Sequence, residues 1–299
     1  MVNLEKNKYY IWLSSIKDIT VIEKLELLEI YKNPMELFYK TEKQLLEELQ
    51  FFEPIKLKRI VKEIINERYK NILEPCINSM EKQNIEVITI NDEKYPNCLK
   101  GIYDSPICIY YKGNIRAINN HKKIAIIGCR DYTEYGRGVS KKFAYELGKK
   151  GIIIISGCAR GIDSFAHQGC LCANKETIAV LGNGLDYIYP PENKQLEEQI
   201  LEKNGLIITE YIVGTKPSKY TFPARNRIIS ALSDGILVVE AKEKSGTLIT
   251  VDFGLEQGKN IYVIPGDITR DNSKGTNELI KQGAKLVTNV EDILEDILI

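Results

Sequence analysis

Residues 152–167, Ile-Ile-Ile-Ile-Ser-Gly-Cys-Ala-Arg-Gly-Ile-Asp-Ser-Phe-Ala-His, combine types that suit the binding of an anion. The β-branched run Ile152–Ile155 passes into a turn carrying Gly157 and Gly161, and then into a helix starting at Ile162. Strand, glycine turn and helix N-terminus bring backbone N–H groups and the positive end of a helix dipole together. Arg160 adds a forked cation inside the turn. A second stretch, Lys219-Tyr-Thr-Phe-Pro-Ala-Arg-Asn-Arg227, sets Lys219, Phe222, Arg225, Asn226 and Arg227 around what the pattern reads as a helix N-terminus. Cations there would hold a sugar-phosphate backbone. An aromatic face stacks a base for about 1–3 kcal/mol, with little sequence preference. The competing reading is that Phe222 belongs to the core and the arginines form ion pairs. Arg130, in Ile127-Gly-Cys-Arg130, either faces the same crevice or caps the sheet through a salt bridge. Ser245-Gly246-Thr247 opens a further helix, with hydroxyls and N–H groups suited to a second phosphate.

These residues must be carried by strands that alternate with helices. From His121 onward, apolar runs at Ile124–Ile127, Ile152–Ile155, Ile178–Leu181, Leu206–Thr209, Ile236–Glu240, Ile261–Ile264 and Lys285–Val287 read as strands. Amphipathic stretches at Gly138–Lys150, Ile162–Asn174, Lys194–Asn204, Asn226–Ser233, Leu248–Gln257 and Thr276–Gln282 separate them. Continuous apolar strands alternating with helices predict an α/β, doubly wound, Rossmann-like parallel sheet. Ligands in such sheets sit beyond the carboxyl ends of the strands. That places the loops 128–130, 156–161, 182–184, 211–226, 241–247 and 265–276 on one rim.

Residues 9–73 instead show three- and four-residue apolar spacing. Asn33-Pro34 reads as a helix start, and Thr41-Glu-Lys-Gln44 as a capping box. This predicts a small all-α module over 1–73, of the size of a SAM or helix-hairpin-helix unit, and an extended Rossmann-like domain over 74–299 with its motif core at 121–299. The segment contains no glycine, so a docking or spacer role competes with nucleic-acid binding.

The 299 residues are 43% apolar and 27% charged, the balance of a soluble globular protein. Lysine plus arginine number 41 and aspartate plus glutamate 41, so any basic site has to be local. The seven cysteines are scattered and several fall in apolar strand patterns, which reads as reduced, mostly buried thiols rather than a metal set. No metal ligand set and no cofactor is expected. The N-terminus is too short and too polar in its apolar run for a signal peptide or a membrane span, so the expected location is cytoplasmic.

Several enzymatic readings fall away. There is no G-x-x-x-x-G-K-[ST], which argues against a P-loop nucleotidase, and no strict G-x-G-x-x-G after the first strand. Asp163 and His167, four apart on a helix, read as a structural hydrogen bond more readily than as an acid–base pair. A phosphoribohydrolase-like enzyme acting on nucleoside monophosphates stays as the alternative function, with Gly246-Thr247 on the phosphate and Glu240 or Glu256 as the acid. A nucleotide sensor would share the same pocket.

Ile155-Ser-Gly-Cys-Ala-Arg-Gly-Ile-Asp163 with His167, Gly184-Leu-Asp-Tyr-Ile-Tyr-Pro190 and Phe222-Pro-Ala-Arg-Asn-Arg-Ile-Ile229 occur in one order along the chain. Ser245-Gly-Thr-Leu-Ile-Thr250, Val263-Ile-Pro-Gly266 and Gly275-Thr-Asn277 follow. Over about residues 85–298 this set resembles the DprA/Smf family of DNA-processing proteins. The resemblance implies a non-enzymatic, cytoplasmic, homodimeric binder of single-stranded DNA that protects incoming strands in natural transformation and helps load the recombinase RecA. It implies that Arg130, Lys219, Arg225, Asn226 and Arg227 hold the strand, and that Gly157, Ser245, Gly246 and Thr247 line the pocket. Phe222 would contact a base, and Lys194 would extend the path. Cys129 stands where the family usually has Ser or Thr, which removes a hydroxyl donor. Thr209-Glu210 keeps the chemistry of the family's Ser-Glu. No C-terminal winged-helix domain is expected after the last helix. The apolar closing segment, Ile293–Ile299, reads equally as a subunit interface or as a helix packed on its own sheet.

Overall fold

The computed structural model describes residues 2–70, 72–119 and 121–297. It divides into two compact units, Met1–Tyr110 with Glu210–Gly214, and Tyr111–Thr209 with Thr215–Ile299.

The first unit carries helices α1 (Val2–Ser15), α2 (Val21–Ile30), α3 (Pro34–Tyr39), α4 (Glu42–Glu48), α5 (Pro54–Tyr69) and α6 (Leu73–Lys82), followed by strand β1 (Glu86–Thr89), α7 (Asn97–Lys100) and the start of β2 (Cys108–Gly113), whose residues from Tyr111 onward belong to the second unit. Asn33 caps α3 with Pro34 in its first turn, and Thr41 with Gln44 forms the capping box of α4. Trp12, Leu27, Leu37, Leu45 and Ile60 are among its fully buried apolar side chains. Helix α1 packs on both β1 and α6. Residues 74–110 therefore join the helical part, and the division falls at 110 rather than at the 73 expected from composition.

The second unit carries β3 (Lys123–Ile127), α8 (Glu134–Lys149), β4 (Ile153–Ser156), α9 (Ile162–Cys172), β5 (Thr177–Val180), α10 (Lys194–Glu202) and β6 (Leu206–Thr209). After these come α11 (Thr221–Leu232), β7 (Gly235–Val238), α12 (Gly246–Glu256), β8 (Asn260–Val263), α13 (Asp271–Lys281), β9 (Lys285–Leu286) and α14 (Glu291–Ile297). Seven strands pair in parallel in the order β6-β5-β4-β3-β7-β8-β9, which is the doubly wound α/β sheet expected. The chain winds outward from β3 to β6, then returns to the far side of β3 and winds outward again to β9. The reversal lies between β3 and β7, where a crevice opens above the strand ends.

Three helix starts differ from the sequence expectation. Helix α11 starts at Thr221, five residues before the expected Asn226, because Pro223 sits in its first turn, where a missing N–H costs nothing. Helices α8 and α13 likewise begin four and five residues early. Ile293, Leu294 and Ile297 of α14 are buried in the core cluster that contains Ile124, Ile154 and Leu237, so this part of the closing segment packs on its own sheet. Leu298 and Ile299 lie outside the described residues. None of the seven cysteines is in a disulfide, and four of them are buried. Among the described residues no helix is long and apolar enough to cross a membrane.

Candidate nucleic-acid interface

The reversal point holds a cleft of about 490 Å³, walled by the loops after β3 and β7 and by α11 and α12. Arg130, Lys219, Phe222, Arg225, Asn226, Ser245, Gly246 and Thr247 all line it, together with Lys242. A second cleft of about 370 Å³ lies beside it, lined by Gly157, Arg160, Gly182, Asn183 and Tyr189 among others. Arg130, Phe222 and Arg225 belong to both walls.

The divider between the clefts is a stack. The Arg130 guanidinium lies 5.3 Å from the centroid of the Phe222 ring. On Phe222, in turn, the Tyr189 ring is stacked at 5.4 Å with 29° between the planes. Gly182 makes this close approach possible, since a Cβ there would stand 2.8 Å from the Phe222 ring. Tyr189 and Lys242 went unassigned in the sequence. The Tyr-Ile-Tyr-Pro motif offered a signal for Tyr189, whereas Lys242 had none beyond its position after β7.

The glycine turn after β4 does not present an open nest. Asp163, on the first turn of α9, accepts the Ala159 N–H at 3.4 Å and also a bond from the Gly157 N–H. Burial pushes its carboxyl upward, and Arg225 with these N–H groups pulls it back. The Ile162 N–H is spent on the Cys129 carbonyl. The anion corner expected at α9 is thus filled by the chain's own carboxylate. Helix α11 has no side-chain N-cap, but its first N–H groups are spent on Ser218, the Thr221 N–H donating to Ser218 Oγ at 3.2 Å and the Phe222 N–H to the Ser218 carbonyl. No side chain caps α12, and the Ser245 Oγ at its mouth is buried with no hydrogen-bond partner. Of the helices walling the first cleft, α12 is the one with its dipole end open to an anion.

Arg225 is not a rim side chain. It is 4% exposed and its guanidinium donates to the Gly157 carbonyl at 2.7 Å and to the Val180 carbonyl, tying the ends of β4 and β5 together. Arg227 is 2% exposed, donates to the Ala224 carbonyl at 2.9 Å, and lines neither cleft. Both fall inside α11 rather than at its N-terminus, which is why they are buried. Arg160 is exposed and bonded to Glu192, and Lys242 is 2.8 Å from Asp131. Lys194 lies on the exposed side of α10, outside both clefts. Arg130 and Lys219 make no ion pair among the described residues. Cys129 lines the first cleft, and burial raises its pKa, so a neutral thiol replaces the missing hydroxyl. The loop 265–276 contributes to a separate cavity, with Thr133 and Tyr135, rather than to either cleft.

The carboxylates considered for catalysis are placed elsewhere. Glu240 is buried, with one oxygen accepting the Thr133 N–H at 3.0 Å and the other the Thr133 hydroxyl, so it anchors the start of α8. Glu256 is exposed at the far end of α12. His167 bonds to Thr177 Oγ1 at 2.8 Å and not to Asp163, which corrects the expected pairing. The helix places the two side chains one turn apart, but Asp163 turns to the glycine loop and His167 to β5.

The comparisons agree with this architecture. The family model described as "DNA recombination-mediator protein A" matches residues 86–298. The DNA processing protein DprA of Bacillus subtilis is 40% identical over 231 residues, covering 77% of each chain. The X-ray structure of DprA from Streptococcus pneumoniae superposes with a TM-score of 0.73 at 35% identity, over 94% of this chain and 99% of that one. A structure of DprA from Helicobacter pylori, described in terms of its single-stranded DNA binding mode, gives a TM-score of 0.64 at 33% identity, over 71% and 95%. With a family model matching residues 86–298 and a relative 40% identical over 77% of each chain, the chain belongs to the DNA recombination-mediator protein A family, the DprA/Smf proteins.

Proposed function

We propose that this chain binds single-stranded DNA without base preference and without chemistry, protecting incoming strands in natural transformation and passing them to a RecA-type recombinase. In this reading it works in the cytoplasm as a homodimer. The observation that carries it is the Arg130–Phe222–Tyr189 stack standing between two clefts, beside the uncapped mouth of α12 with Ser245, Gly246 and Thr247. A stack with open edges accepts bases of any identity, and a helix mouth with flanking cations accepts phosphates. The H. pylori relative's described binding of single strands supports the same assignment. Gly157 and Asn226 complete the walls, Arg225 fixes them, and Lys194 lies beyond them on α10.

Arg130, Lys219, Arg160 and Lys242 are the exchangeable cations, the last two trading Glu192 and Asp131 for phosphate. Four phosphates neutralised give a log–log salt slope near −0.7 × 4, a loss of roughly fifty-fold between 50 and 200 mM salt. Fluorescence anisotropy with labelled oligo-dT reads this directly. Arg130→Ala is expected to weaken binding by about 1–3 kcal/mol with little change in melting temperature, because its exposed guanidinium rests on Phe222 and makes no ion pair among the described residues. A slope near zero, or a preference for duplex, would remove the reading.

A further inference from the structure

Outside the clefts, cations and aromatic rings alternate along one face of α8. Tyr132, two residues beyond Arg130, packs edge-on against Phe165 of α9 at 4.6 Å. Arg137 and Lys141, one turn apart on α8, both lie over the Phe165 ring, at 5.6 and 5.4 Å. One turn further, Tyr145 is 40% exposed, and Lys149 lies over its ring at 5.6 Å. The opposite face of α8 (Gly136, Ser140, Phe143, Ala144 and Leu147) is buried, so the stripe is the free face of a well-anchored helix.

Three acids lie on or beside the stripe, and each has a cation partner. Glu134 is held by Arg137 at 3.2 Å, and Glu146 by Lys142 at 4.0 Å. Asp131, at the junction with the cleft, pairs with Lys242 until a phosphate takes that cation. Lys141 and Lys149 have no carboxylate partner among the described residues. An ordinary solvated face would send its lysines outward; here the ammonium groups lie over ring faces that stay partly open. Rings alternating with unpaired ammonium groups are complementary to a polyanion that carries flat bases. From Arg137 to Lys149 the stripe runs about 18 Å along the helix.

We propose that the α8 face, from Tyr132 to Lys149, is a second contact surface for the same single strand, which leaves the cleft past Arg130 and continues along the helix. This extends the single-strand reading and rests on it. Phosphates meet Lys141 and Lys149, and bases meet the rings of Tyr132 and Tyr145. Short strands use the clefts alone, and longer ones use both.

The test compares oligo-dT of about six and about twenty-five nucleotides on the full chain. The variant is Lys141→Glu with Lys149→Glu, and the charge-matched control is Lys203→Glu, just past the end of α10, with Lys281→Glu at the end of α13. Expected is about a tenfold weaker affinity of the stripe variant for the long strand, with the short strand changed by less than about twofold. The long-strand salt slope should become shallower by about 1.4, two phosphates at roughly 0.7 each. The control should lose less than about threefold on either strand. Equal losses on both lengths, or a control as weak as the stripe variant, would overturn the α8 path while leaving the cleft in place. A wild-type chain that binds neither strand would overturn both readings.

Discussion

Arg225→Ala is expected to lower folding stability by about 3–5 kcal/mol, read as a shift in the urea midpoint with an unchanged slope. The guanidinium is 4% exposed and bonds the carbonyls of Gly157 and Val180, so its loss leaves two buried acceptors at the ends of β4 and β5 unanswered. It also strips Asp163 of its buried countercharge. That carboxyl is already pushed up by burial, with Arg225 the leading influence pulling it back. Gly157 shows how closely these groups are fitted, since a Cβ there would lie 2.5 Å from the guanidinium and 2.7 Å from the Asp163 carboxylate. Arg225→Lys should recover only part of the loss, because one ammonium cannot fork to both carbonyls. A mutant that kept its stability within about 1 kcal/mol yet lost DNA would make Arg225 a ligand residue rather than a keystone. Binding measurements are better made at Arg130, where the fold is not at stake.

The contrast between Arg225 and Arg130 shows what the sequence carried and what it withheld. Strand positions were legible because Ile124–Ile127 or Ile152–Ile155 are buried on both faces and so read as unbroken apolar runs. The rim also followed, since a parallel sheet places its loops at the carboxyl ends. Burial of an arginine was not legible. It depended on α11 starting at Thr221, with Pro223 in its first turn. Shifting that start by five residues moved Arg225 and Arg227 from a helix mouth into the second turn and under the sheet edge. Likewise the glycine turn after β4 looked empty, because one sequence cannot show that Asp163 folds back to fill it. The uncapped α12 was marked only by Ser245-Gly-Thr247, three residues that suit a cap and a phosphate equally. Tyr189, on a loop, meets Phe222 in the first turn of α11, 33 positions further on, a pairing that no local pattern encodes. The 110/111 division escaped composition because β1 and its neighbours carry no linker-like residues; it arises from packing of α1 on β1.

Acid is expected to weaken the second unit through His167, by about 2 kcal/mol between pH 7.5 and pH 5. The ring is completely buried on α9, and Thr177 gives its own hydroxyl proton to the Ile154 carbonyl, so the imidazole Nδ1–H donates to Thr177 Oγ1. Burial first, and the positive charge of Arg225 second, push the pKa down to about 3. The folded value thus lies below the ordinary value near 6.5. The stabilisation is complete above about pH 6.5 and is lost as pH falls from there toward the folded value, at about 1.4 kcal/mol per unit. Asp163 acts in the opposite sense, since its raised pKa favours the folded state as it protonates, and it offsets part of the loss in the total. The difference between wild type and His167→Gln isolates the ring, because Asp163 is common to both. Chemical denaturation at pH 7.5, 6 and 5 should show the gap between the two proteins shift by about 2 kcal/mol in favour of the glutamine variant. A gap constant with pH would mean that the ring charges in place and that the site tolerates a second cation beside Arg225. His121, the other histidine, is half exposed beside Glu176 at 3.7 Å, and such a surface pair contributes little. Because Arg225 is one of the two causes of the shift, removing it should also narrow the pH window. The acid sensitivity of His167 and the stability lost at Arg225 are therefore two readings of the same buried charge.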